Sequence, residues 1–290
     1  MTTSDPTTAT RPIAIAEIER LRAAGVQAAR TVRVVKSTGA WLKPMELRGR
    51  QAKAKISWTI NETAIEDRLW LADNLRLIRT SQKDTRSIAR SLRYDPANVD
   101  EAGVEAPRVY RIAGQYLSAA MDAFSEEGLA AFLSGYQQTF ELEMGEIWAL
   151  KPSLQFATLE RIANARPASW PALITSLRHI GEASWKDLFE SVSVVDNVLA
   201  RDSGYFAMDY ESRDLYRNVI AELAKHSNRS ERHVAGTALQ LAAARAGRQG
   251  HVGYFLIDEG LAELAPGSGT VKRRCSAFAI RCLPTPTPTT

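Results

Sequence analysis

The sequence predicts an all-α fold, a multi-helix bundle or array of antiparallel helices with disordered termini. Three observations predict it. Apolar residues recur at three- and four-residue spacing over most of residues 56–264. Acids stand in first turns, as at Glu126-Glu127 and Glu231, where the helix dipole favours them. No window shows sustained alternation of apolar and polar residues with β-branched side chains, so no strand is predicted.

Along the chain, residues 1–12 are rich in Thr, Ser and Pro and predict disorder. Ile13 to Val35 is helix-capable, and Lys36 to Lys55 is a basic stretch bearing an aromatic residue. Asn61 is a suitable N-cap for a helix with Ile65, Leu69, Ala72 and Leu75 on one stripe. Ser81 to Arg93 continues as a polar helical run, which Asp95-Pro96 and Gly103 to Pro107 interrupt. Helical patterns then occupy Arg108–Ala123, Glu126–Glu143, Glu146–Ala165, Pro171–Ile180, Ser184–Ala200, Glu211–His226 and Glu231–Ala246, with short links and no repeat of fixed period. The domain reading has three parts. Residues 1–55 form a basic, partly disordered segment, 56–264 the all-α domain, and 265–290 a disordered tail.

Composition narrows the function classes. A chain of 290 residues with 45% hydrophobic and 24% charged residues reads as an ordinary globular protein. No apolar run is long enough to span a bilayer, and no secretory signal opens the chain. The two cysteines, Cys275 and Cys282, are too few and too late for a disulfide framework, and the four histidines show no ligand spacing, so no metal or cofactor is expected. The net charge of +4 is unevenly spread. Residues 1–55 hold eleven Lys and Arg against four Asp and Glu, whereas residues 56–270 hold twenty-two against twenty-nine. Basic ends suit an anionic membrane surface or nucleic acid, and more often are solvated tails. With an acidic middle and no recognition motif, no nucleic-acid partner is expected.

Three strings are denser in acids, bases, aromatics and glycine than a helix needs. In Met144-Gly-Glu-Ile-Trp-Ala-Leu-Lys-Pro152, Pro152 has no N–H for the carbonyl of Trp148, so a helix through it must kink or restart. Glu146 and Trp148 could hold a sugar by hydrogen bonding and stacking. The alternative places Trp148 in the core and makes Glu146 a first-turn acid. In Met208-Asp-Tyr-Glu-Ser-Arg-Asp-Leu-Tyr-Arg217, Asp209 suits an N-cap, and Leu215, Val219 and Leu223 form the core stripe. Asp209 with Arg213 and Asp214 with Arg217 have the spacing of helix-surface ion pairs, though the two arginines could instead grip a phosphate. In His251-Val-Gly-Tyr-Phe-Leu-Ile-Asp258, Tyr254 to Ile257 form a buried-looking block that ends in Asp258. His251 could act as an acid or base, or be structural.

Taken together with Leu71-Ala-Asp-Asn74 and Pro107-Arg-Val-Tyr110, these strings resemble, in order, the N-terminal region of bacterial cyclic β-1,2-glucan synthases. The resemblance implies a helical region of a UDP-glucose-dependent, membrane-borne glycosyltransferase, acting at the cytoplasmic face of the inner membrane. The Asp-x-Asp and Gln-x-x-Arg-Trp motifs of such a transferase are absent here, and Lys151 and Met144 depart from the family pattern. The expected function is therefore a non-catalytic module with a scaffolding, regulatory or glucan-contacting role. Its partners would be the membrane and catalytic parts of a synthase, or a glucan chain. The abrupt change after Leu264 predicts a truncated or frame-shifted form. The competing reading is a self-contained glycan-acting enzyme that pairs Glu146 with a second carboxylate.

Overall fold

A computed structural model describes residues 14–62, 65–100, 102–227 and 229–264. The expectations for the extreme N-terminus and for the tail from residue 265 lie outside the described residues. Among the described residues the fold is all-α, as predicted, with one small sheet.

The helices are α1 (Ile15–Arg30), α2 (Leu42–Glu62), α3 (Ile65–Asp73), α4 (Leu75–Asp84), α5 (Ile88–Ser91), α6 (Arg108–Ala119), α7 (Glu126–Tyr136), α8 (Met144–Asn164) and α9 (Trp170–Glu182). They continue with α10 (Trp185–Val192), α11 (Val194–Leu199), α12 (Ser203–Phe206), α13 (Tyr210–Ser227), α14 (Glu231–Ala243), α15 (Val252–Ile257) and α16 (Leu261–Leu264). The described chain divides into two compact units. The first comprises residues up to Phe140 with Leu150–Ala183, and the second Glu141–Ala149 with the residues from Ser184 onward.

In the first unit, α1 and α7 bring their backbones into direct contact at two glycines. A Cβ on Gly25 would stand 2.0 Å from the Phe132 carbonyl oxygen, and one on Gly135 would stand 2.0 Å from that of Arg22. Two glycines facing each other in this way let the helices approach more closely than any larger residue permits. A second cluster joins α2, α3, α4, α8 and α9 through Ile56, Leu71, Ile78, Leu159, Ile162, Trp170 and Leu177. The turn after α6 carries positive φ at Met121 and Asp122, and Arg161 holds the Asp122 carboxylate in place.

Several local expectations need correction. Lys36 to Lys55 is largely helical, as part of α2, because Met45, Ala52 and Ile56 fall on one buried stripe. Asn61 is not an N-cap but lies in the last turn of that helix. The next stripe runs through Leu71 and Ile78, while Leu69 is exposed. Three strands were not foreseen: β1 (Arg33–Val35), β2 (Ala97–Val99) and β3 (Glu105–Pro107), antiparallel in that order. At three residues each they are too short to display a period of two.

Helix α8 continues through Pro152 as a single element, and the division between the two units falls within it. The predicted helix Ser184–Ala200 is two helices. Ser193 ends α10 and caps α11, its Oγ accepting the Asp196 N–H at 3.0 Å. In the second unit, α11, α13, α14 and α15 share a core. Ala235, Ala238 and Ala242 on α14 are buried, as are Val219, Ile220 and Leu223 on α13 and Val252 and Phe255 on α15.

Candidate functional site

Residues from the second and third strings form the polar interior of the second unit. Arg217 sits on the inward face of α13 with 2% side-chain exposure. Its Nε donates to Asp196 Oδ2 at 2.9 Å, and its Nη2 donates to Asp196 Oδ1 at 2.9 Å and to Glu190 Oε1 at 2.7 Å. Asp214 adds a weaker ion pair at 3.5 Å from Nη1. The guanidinium also lies 4.8 Å from the centre of the Tyr210 ring, whose vicinity Lys186 shares at 4.7 Å. A fork-on-carboxylate pair of this kind is the geometry for which arginine is suited and lysine is not. Burial alone would draw the guanidinium pKa down, but the bonds to Asp196 and Glu190 outweigh it and raise the pKa.

Asp196 also accepts the Tyr205 hydroxyl at 2.6 Å. Burial first, then the negative charge of Asp196, push the Tyr205 phenol well above its ordinary value. The expected pairing of Arg213 with Asp209 is replaced. Arg213 reaches Glu190 at 3.1 Å instead, while Asp209 accepts the Ser212 N–H at 2.7 Å as the N-cap of α13. That backbone bond holds the Asp209 carboxyl below the usual range. The core stripe of α13 is Tyr216, Val219, Ile220 and Leu223, with Leu215 only half-buried.

His251 is the N-cap of α15, with its Nδ1 accepting the Gly253 N–H at 2.9 Å. Its Nε2 lies 3.8 Å from Asp202, and its ring meets the edge of Tyr216. Glycines create this pocket. A Cβ on Gly204 would fall 2.2 Å from the His251 ring, and one on Gly253 would fall 2.1 Å from the Tyr216 hydroxyl. Asp202 is a double cap, accepting the Tyr205 N–H that starts α12 at 3.0 Å and the Val252 N–H of α15 at 2.9 Å. Tyr254 is half-buried and takes a long bond from Gln249 at 3.4 Å, and Asp258 pairs with Arg248. Within the expected buried block, Phe255 and Leu256 are buried, but Ile257 is 42% exposed.

Glu146 has no exposed surface. Its Oε2 accepts the Glu143 N–H at 3.0 Å, the return bond of a capping box at the start of α8. Glu231 takes the Met144 N–H at 2.8 Å, and the Ser193 hydroxyl touches the Met144 sulfur. Trp148 is half-buried. The structure thus joins Arg213, Asp214 and Arg217 in one network and puts His251 in another beside Tyr216. Glu146, Asp209, Tyr254 and Asp258 serve separate local roles.

Sequence reasoning missed Glu190, Asp196, Asp202 and Tyr205. For Asp196 a signal existed, since a lone acid within Val194-Val-Asp-Asn-Val-Leu199 needs a cation once that run is buried. Among the described residues, no group of three or more His, Cys, Asp or Glu could hold a metal ion, and no helix is long and apolar enough to cross a membrane.

These features define a helical protein whose charged motifs are spent on ion pairs and helix caps. No protein-family model matches the chain. A cyclic β-(1,2)-glucan synthase, NdvB of Rhizobium meliloti (strain 1021), is 22% identical, and the match takes in 59% of this chain and 9% of that protein. The resemblance to cyclic β-1,2-glucan synthases read from the sequence is therefore supported, with this chain matching only a small part of the relative's length.

Proposed function

We propose that this chain is a non-catalytic helical module of a cyclic β-1,2-glucan synthase-like system. Its role is scaffolding or regulation of the synthase, or contact with the glucan. The observation that carries this reading is the internal use of the charged groups in the synthase-like strings. Glu146 closes a capping box with no exposed surface, Arg217 is tied to two carboxylates, and His251 caps a helix. Glycoside chemistry requires two carboxylates facing a substrate across a cleft. Glu146 and Asp196 are instead spent on backbone and guanidinium partners. By the same resemblance, the module works at the cytoplasmic face of the membrane beside the synthase body.

The test is incubation of the purified chain with labelled UDP-glucose and a divalent cation. No glucose should enter β-1,2-linked product, with or without added glucan primer. Incorporation that persists after removal of contaminating synthase would overturn the proposal.

A further inference from the structure

The first unit carries a groove of about 830 Å³ between α2 and the segment running from α4 to α5. Its walls are basic. Arg50 and Lys53 project from α2, Arg79 and Lys83 from α4, Arg86 from the 3-10 turn that follows, and Arg90 from α5. Two acids line it, and both are engaged. Glu46 faces Arg90 at 3.8 Å, while Glu160 accepts the Tyr110 hydroxyl and lies 3.5 Å from Arg48. Among the described residues, Arg50, Lys53, Arg79, Lys83 and Arg86 have no acid within ion-pairing distance, although all five are exposed. This contrasts with the second unit, where three acids surround Arg217.

We infer that this groove binds a soluble, extended anion bearing several phosphate groups. Like charges collected on opposing walls repel one another and stabilise nothing in the unliganded fold. A bound polyanion would relieve that repulsion. The cations recur at three- or four-residue intervals, Arg50 and Lys53 on α2 and Arg79, Lys83, Arg86 and Arg90 from α4 to α5, roughly 4.5–6 Å of rise where the chain is α-helical, which suits successive phosphates better than one compact ion. The floor is apolar, with Met45, Ile56 and Ile78 at 0–2% exposure, so the charges act across a poorly polarisable wall that strengthens their pull. The volume exceeds what one phosphate fills and lies within the range of ligand pockets, about 300–1,000 Å³. A recessed groove admits a linear molecule but not a flat bilayer surface.

The probe is inorganic tripolyphosphate, titrated calorimetrically into the full chain at low salt, with orthophosphate as the single-phosphate comparison. Tripolyphosphate should bind more tightly than orthophosphate. The triple variant Arg79→Ala, Lys83→Ala, Arg86→Ala should weaken it about tenfold or more through loss of charge-assisted contacts. A control triple that removes equal charge elsewhere, Arg22→Ala, Arg201→Ala, Arg229→Ala, should change affinity less than about twofold by the same reasoning. Lys53→Gln, on the opposite wall, should give a smaller loss, and it tests the groove even if the triple variant folds poorly. Equal weakening by the two triples, or no binding by the wild type, would overturn the inference. So would binding to phosphatidylglycerol vesicles without binding to tripolyphosphate.

Discussion

Arg217 shows what a single residue does in the second unit. With 2% side-chain exposure, its charge is sustainable only because Asp196 and Glu190 meet it with short bonds. Removing the guanidinium leaves the buried Asp196 carboxylate with no cation and only the Tyr205 hydroxyl as side-chain donor, while Glu190 keeps Arg213. Arg217→Met should therefore cost about 3–5 kcal/mol, the usual loss when one partner of a buried pair is deleted. Arg217→Lys should recover only part of it, since one ammonium cannot span both carboxylates. Urea denaturation checks both, and a wild-type midpoint for Arg217→Met would show that the network does not hold the unit together. Asp202 offers a gentler comparison. Asp202→Ala strips the cap from α12 and the acceptor of the Val252 N–H at the start of α15, where His251 remains as the N-cap, and should cost about 2 kcal/mol, whereas Asp202→Asn keeps an acceptor oxygen and should cost less. Thermal melts of the pair would separate capping from charge.

Between elements, backbone contact outweighs side-chain chemistry where α1 crosses α7. The atoms that block a Cβ at Gly25 and Gly135 belong to carbonyl groups of the facing helix, which cannot swing aside as a side chain can. Gly25→Ala or Gly135→Ala should destabilise the protein by about 3 kcal/mol through overpacking. At Gly114 and Gly236 nothing lies within 4 Å of a built Cβ. Alanine there should leave stability unchanged or raise it by up to about 1 kcal/mol, the ordinary helix gain. Opposite signs at chemically identical substitutions are the signature to look for in chemical denaturation. The sequence made the helices legible, because three- and four-residue apolar spacing is set by neighbours in the chain. It hid the crossing, since glycine in an exposed turn and glycine at a contact read alike. Asp209 could be read as a cap because a cap depends only on the next few residues. The partner of Arg213 could not, because Glu190 lies on another helix. His251 was legible as unusual, but its capping role and its neighbours Asp202 and Tyr216 arise only when three separate segments meet.

For the whole molecule, alkaline pH reaches both units through the same chemistry. Tyr116 in the first unit is fully buried, exchanges hydrogen bonds with the backbone of Ser125, and has its phenol pushed up to about 12 chiefly by burial. Tyr216 in the second unit is likewise pushed up to about 12, by burial and then by the negative charge of Asp202. In an unfolded chain both titrate near pH 10. The folded state therefore holds these protons more tightly than the unfolded state, so stability falls wherever the unfolded chain alone has lost them. The contribution is complete below pH 10 and disappears as pH rises through about 12. Tyrosinate absorbance and helical circular dichroism should change together across that window. Tyr116→Phe lacks the titrating group and should shift the alkaline transition of the first unit upward, at the cost of the bonds to Ser125 at neutral pH. Tyrosinate formation complete near pH 10 with helicity intact would show that neither ring is sheltered as the structure has it.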